Sequence, residues 1–128
     1  MIHAETEGIR VSVRPVYSPG HSDPEGPRHV FVYYVRIENV GEEPARLRWR
    51  HWDIHDAEAG ASQVEGEGVI GQQPLLEAGC VHEYNSYCVL RGTEGHMEGW
   101  YELERPDGNR FRAAIPRFHL RTDAAVLN

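Results

Sequence analysis

Apolar and polar residues alternate along most of this chain in short runs, and the repeat is two residues. Ile9, Val11 and Val13 alternate with Arg10, Ser12 and Arg14, the pattern of a half-buried β-strand. Pro15 confines that strand to an edge or ends its regular pairing. Pro19 to Pro27 is rich in turn residues and reads as a loop. In His29–Val40, Phe31, Tyr33, Val35 and Ile37 share one face while Val30, Val32 and Tyr34 share the other; apolar residues on both faces predict a central strand. Tyr33 and Tyr34 therefore face opposite ways, and one of them lies off the main core. The turn at Asn39–Pro44 leads into a strand over Ala45–Asp56, and Gln63–Ile70 forms the next. After the Pro74–Gly79 turn come Val81–Leu90, then Met97–Glu104 and Asn109–Ile115 flanking the hairpin turn Pro106-Asp107-Gly108. No window places apolar residues at the i, i+3, i+4, i+7 spacing of an amphipathic helix. Seven to eight closely spaced strands predict an all-β, antiparallel sandwich of immunoglobulin or fibronectin type III-like form, with a barrel as the runner-up.

The phase of the alternation changes inside Ala45–Asp56. Leu47 and Trp49 are apolar at odd positions, then Trp52 and Ile54 at even ones. A change of phase within a strand is what a β-bulge produces, and a bulge is expected near Arg50-His51. Before it, Arg46, Arg48 and Arg50 share a face. Three guanidinium groups could hold an anion, or they could be balanced by Glu65 and Glu67 on the adjoining strand.

Gly66, Gly68 and Gly71 match the glycine spacing of a dinucleotide-binding loop. Such a loop has to open a helix, whose free amides hold the pyrophosphate. Here Pro74 follows closely and Leu75–Gly79 is too short for a crossover helix. The glycines therefore read as strand geometry: a bulge, a bend or a close backbone approach. They could still act with Arg50 as an anion site, the segment supplying backbone N–H groups and Arg50 the charge.

With 128 residues, the chain suits one domain with its core over about residues 8–121. The segments Met1–Glu7 and Thr122–Asn128 are expected to be loosely held. A formal net charge of −7 argues against nucleic acid and membrane surfaces as partners, since both reward a basic patch. All 13 cationic residues are arginine, as a GC-rich genome would produce. Two cysteines, Cys80 and Cys88, do not make a secreted disulfide framework. No stretch resembles a signal peptide or a membrane span, so a cytoplasmic setting is expected.

His51, Asp53 and His55 are spaced two apart and would face one way on a regular strand, a weak candidate for a divalent metal. Surface or core histidines are the alternative. His82, Ser86 and Cys88 share a face of the Val81–Leu90 strand, but about 13 Å separates His82 from Ser86 at roughly 3.3 Å per residue. That is too far for a nucleophile and its base, so no catalytic residues are assigned. Trp49, Trp52, Trp100 and Tyr101 are expected to fill the core.

Taken in order, Arg50-His51-Trp52 with Ile54 and Asp56, Gly66 to Pro74, Tyr84-x-Ser86-x-Cys88, Met97-x-Gly99-x-Tyr101 and Ile115-Pro116-x-Phe118 resemble the ApaG family. The resemblance runs from about Val11 to Leu120. It implies a single fibronectin-like sandwich. Similar domains end some F-box proteins and occur in a polymerase-interacting protein. The resemblance implies no catalytic activity and no cofactor. It brings three associations: a neighbouring dinucleoside tetraphosphatase gene, cobalt and magnesium resistance, and pyrophosphate or nucleotide binding at the glycine motif. The family motif carries Ser or Thr where His55 stands. Expected partners are a second protein or a pyrophosphate-like anion, with a homodimer as an open alternative.

Overall fold

The computed structural model describes residues 1–123. Nine strands follow one another: β1 Ile2–Thr6, β2 Ile9–Tyr17, β3 His29–Asn39, β4 Ala45–Asp56, β5 Gly60–Glu67, β6 Leu75–Leu76, β7 Val81–Leu90, β8 Glu94–Glu104 and β9 Arg110–Arg121. One turn of 3-10 helix, Pro19–His21, lies between β2 and β3. The strands form two antiparallel sheets, one in the order β1-β2-β3-β7 and the other β5-β4-β8-β9, with β6 paired to the start of β4. The molecule is the two-layer sandwich that the alternation predicts.

The N-terminal segment is not loose. Ile2–Thr6 pairs residue by residue with Ile9–Val13 as an edge strand. Of the C-terminal segment expected to be loosely held, Thr122 and Asp123 form a turn; residues 124–128 lie outside those described. β5 starts at Gly60 rather than Gln63, and Val69 and Ile70 belong to the turn beyond it. β9 runs on past Ile115 through Pro116 to Arg121.

The core is built from the inner faces of both layers. Ile9, Val11, Val13, Phe31, Tyr33, Val35 and Ile37 come from one sheet; Leu47, Trp52, Met97, Tyr101, Leu103, Ile115, Phe118 and Leu120 come from the other. Trp52 is its hinge point, with the Tyr33 ring 5.2 Å away and Phe118 and Tyr101 set edge-on to it. Such ring pairs contribute about 0.5–1.5 kcal/mol each beyond their area. Tyr34 lies off the core under the Arg14 guanidinium. Trp49 and Trp100 are half-buried on the outer face of the second sheet rather than in the core.

The two layers are each four strands across but are offset. On one side β1 and β2 pack over β9 and close the sandwich. On the other, the sheets end in β7 and β5. Every residue of β5 is exposed or half-buried, so it overhangs the sheet that faces it, and the sandwich stands open there.

Candidate functional site

The position of one bulge decides what the open side contains. The ladder between β4 and β8 slips between Leu47 and Trp49, which makes Arg48 the extra residue. The bulge thus falls about two residues earlier than the sequence suggests. As a consequence Arg46 and Arg48 stay on the outer face, while Arg50 turns inward with Trp52, Ile54 and Asp56. The three arginines do not share a face. Arg46 donates to the Gln73 carbonyl. Arg48 is paired with Glu104 at 2.9 Å and donates to the Gln73 side chain. Glu65 and Glu67 do not compensate these arginines: Glu65 pairs with His51, and Glu67 offers Arg50 its backbone carbonyl.

Arg50 lies against the end of β5. Its Nη1 donates to the carbonyls of Glu67 and Gly68 at 3.0 and 3.1 Å. Among the described residues no carboxylate is within ion-pair distance of it. Gly66 makes this pose available. A Cβ there would sit 2.7 Å from Arg50 Nη1 and 2.8 Å from Nη2, so the guanidinium occupies the space of a side chain.

The rest of the glycine segment is a tight turn. Val69 and Gln72 exchange both backbone hydrogen bonds, at 2.8 and 2.9 Å. Ile70 and Gly71 between them have φ of 49° and 73°, a type I′ arrangement. Gly68 has φ of 60°, and a Cβ on it would overlap the Gln72 carbonyl at 2.1 Å. The structural reading of the glycines therefore accounts for the spacing: one accommodates Arg50, and two shape the turn. The amides of Gly68, Val69 and Gln72 are already used. Those of Ile70 and Gly71 form no hydrogen bond among the described residues.

Arg50 faces a cleft of about 460 Å³ between the open edges of the two sheets. Tyr33, Tyr84, Ser86 and Cys88 line it from β3 and β7; Trp52, Ile54 and Val64 line it from β4 and β5. Tyr84 and Tyr101 join their hydroxyls across the layers. Burial pushes all three phenols, Tyr33, Tyr84 and Tyr101, above their ordinary pKa, and the nearby Arg50 charge opposes that rise. They are neutral hydroxyls at ordinary pH. Asp56 closes the far end of the cleft. Burial raises its pKa, but hydrogen bonds from the amides of Arg91, Glu58, Gly92 and Ala59 outweigh this and hold it below the usual range. Burial, assisted by the Asp56 charge, pushes the Cys88 thiol up to about 11, so it stays protonated and is a poor nucleophile. His82, Ser86 and Cys88 share the inner side of β7, as the alternation places them.

His51, Asp53 and His55 share the outer face of β4. Both His51 nitrogens are committed, Nδ1 to Glu65 at 2.7 Å and Nε2 to Asp53 at 3.0 Å. Burial depresses its pKa, but these two hydrogen bonds and the two negative charges outweigh it, and the net shift is upward. The ring stacks on Trp100 at 4.8 Å, and Trp100 carries Arg112 over its ring. His55 instead stacks on His96, which meets His119 edge-on, in a row across β4, β8 and β9. Among the described residues no group of three His, Cys, Asp or Glu side chains is arranged to hold a metal ion. Among the described residues no helix is long and apolar enough to cross a membrane.

Sequence reasoning missed the phenols and Val64 as parts of one cleft. Tyr33 and Tyr84 sit in strands recognisable from the chain, and inward parity on each was the available signal. What joins them to Arg50 is the bulge.

An ApaG domain model matches residues 19–105. The chain is 48% identical over 120 residues to the protein called Protein ApaG of Anaeromyxobacter dehalogenans (strain 2CP-C), with 94% of each chain covered. It is 46% identical over 112 residues to Protein ApaG of Thiobacillus denitrificans (strain ATCC 25259 / T1), covering 88% of each. The crystal structure of the putative ApaA protein from Bordetella pertussis superposes with a TM-score of 0.88 at 40% identity, over 98% of this chain and all of that one.

Proposed function

The chain belongs to the ApaG family, and within that family we propose that it is a binding module without chemistry of its own, whose ligand enters the open side of the sandwich and places an anionic group at Arg50. The observation that carries this reading is the charge of Arg50. It is held beside three neutral phenols, in a cleft, with two carbonyls as its partners and no carboxylate among the described residues. A guanidinium so placed retains unused N–H donors, and an oxyanion is the partner that matches their geometry.

Two features support the absence of chemistry. The Cys88 thiol is protonated, the phenols have raised pKa, and among the described residues no histidine lines the cleft to serve the Ser86 hydroxyl as a base. Two unbridged cysteines and the acidic composition go with a cytoplasmic setting. A second reading, in which the ligand is a free pyrophosphate or nucleotide anion at Gly66, Gly68, Gly71 and Arg50, is favoured by the unused amides of Ile70 and Gly71. A metal-linked role has only the family association behind it.

Amide NMR titration with pyrophosphate and with glutarate tests the proposal, using Arg50→Gln as the site variant and Arg112→Gln on the outer face as the control. Saturable shifts at Arg50 and Gly66–Gly71 that vanish in Arg50→Gln and persist in Arg112→Gln are expected. Shifts that survive in Arg50→Gln, or none at millimolar ligand, would remove Arg50 from the site.

A further inference from the structure

The open side of the sandwich lacks a strand. One layer ends at β7 and the other extends one strand further, to β5. The inward residues of β5 are those paired with Arg50, Trp52 and Ile54, namely Gly66, Val64 and Ser62. Nothing in the facing layer covers them: Val64 is 45% exposed, and Ile70 beyond the end of the strand is 63% exposed. The β7 edge away from β3 is unpaired among the described residues, with Val89 and Tyr87 exposed along the strand. An exposed edge with its row of amides and carbonyls is a template for a further strand.

We infer that this side takes an extended peptide segment of a partner protein, which hydrogen-bonds along β7 as the fifth strand of its sheet and carries an acidic side chain to Arg50. The inference rests on the anion reading of Arg50 and adds the carrier of the anion. A strand placed on β7 lies over the inward face of β5 and faces Arg50 across the cleft. Its inward side chains recur every two residues, about 7 Å apart, which is the spacing of Val64 and Gly66 along β5. The matching partner has an apolar residue over Val64 and a carboxylate two positions away, over Gly66 at the Arg50 guanidinium. Ile70 extends the apolar surface beyond that end.

Charge complementarity selects an acidic peptide over a second copy of this chain. The inward residues of β7 are His82, Tyr84, Ser86, Cys88 and Leu90. A β7 strand from another copy, laid in the same place, brings no carboxylate and leaves Arg50 uncompensated.

The probe is a pool of capped peptides of the form Ser-Xaa-Thr-Xaa-Thr-Glu-Ser, with Xaa drawn from Val, Ile, Leu, Phe and Tyr, in both sequence orders. Binding is followed by amide NMR and by hydrogen exchange on the full chain. The expected result is saturable shifts along Val81–Leu90, with slowed exchange of the β7 amides that point away from β3. Replacing Glu by Gln in the peptide, or Arg50 by Gln in the protein, weakens binding by about tenfold or more. Replacing the central residue of the peptide, its second Xaa, by Pro abolishes it. Pyrophosphate run in parallel separates the two proposals. If pyrophosphate shifts Arg50 while no peptide protects β7, strand addition is overturned and the site binds a free anion. If neither acts on the cleft, both proposals fall. Peptide binding that does not depend on Arg50, or a stable dimer through β7 without peptide at neutral pH and low salt, would also overturn the inference.

Discussion

Ile70 carries the least comfortable backbone in the described chain. A β-branched residue at a φ of 49° sits where a left-handed conformation costs about 1–2 kcal/mol, and its side chain is mostly in solvent. A type I′ turn accepts Asn at this position without that penalty. Ile70→Asn is therefore expected to raise stability by about 1 kcal/mol, measured as the urea midpoint at unchanged slope. A fall in the midpoint would show that the Ile70 side chain has packing that offsets its backbone. Gly66 works by the opposite logic: its φ is ordinary, and the reason for glycine lies in the Arg50 guanidinium above it. The same G-x-G-x-x-G spacing thus serves three different local needs, which a motif match cannot separate.

At the scale of elements, β5 is held on its outer face by the Gln63–Asp53 hydrogen bond and by His51, which pins Glu65 of β5 and Asp53 of its own strand. Its raised pKa makes the attachment dependent on pH. A histidine with a folded value above its unfolded one of about 6.5 stabilises fully below that value, and the contribution is lost as pH rises through the folded value. His96 shifts the other way, through burial and then the Arg117 and His55 charges, so a total stability profile mixes the two. The difference between the natural chain and His51→Gln isolates His51. That difference in chemical denaturation midpoint is expected to be greatest below about pH 6.5 and to shrink as pH rises past it; a difference independent of pH would mean that the imidazolium charge contributes nothing.

The elements also show what the sequence made legible. The runs at β3 and β7, and the hairpin at Pro106-Asp107-Gly108, could be read because strict alternation and turn chemistry coincide there. Arg105 and Asn109 close that hairpin at 2.8 Å. β1 could not be read, because Ile2 and Ala4 alone hardly make an alternating pattern, and the strand exists by pairing with β2. The bulge was detectable as a phase change but not locatable. Trp49 is apolar yet outward, half-buried beside Glu65, so an apolar residue did not mark the inner face. That displacement of about two residues decided which arginine enters the cleft, and with it the candidate site.

The whole molecule is a sandwich shut on one side by β1, β2 and β9 and open on the other between β5 and β7. The family places this architecture in proteins that span nearly the same length. Its acidic balance, −7 over 128 residues, surrounds a cleft in which the Arg50 guanidinium has the opposite sign. A ligand of the proposed kind would enter against the average field of the surface, guided by the local geometry at Arg50.

An unguarded β7 margin also bears on how the free protein behaves in concentrated solution. Strand edges of like molecules can join when nothing keeps them apart, and here the mutual repulsion of acidic copies is the available restraint. Salt screens that repulsion, and pH near the isoelectric point of about 5.6 removes it. Light scattering of the ligand-free chain is expected to show growing mass as salt is raised or pH approaches that point, and little change when an edge-capping peptide is present. Monodisperse chain under both conditions would mean that β7 is guarded by its own twist and side chains. Growing mass that the peptide suppresses would mean that the colloidal stability of this protein is governed by occupancy of its margin as much as by its fold.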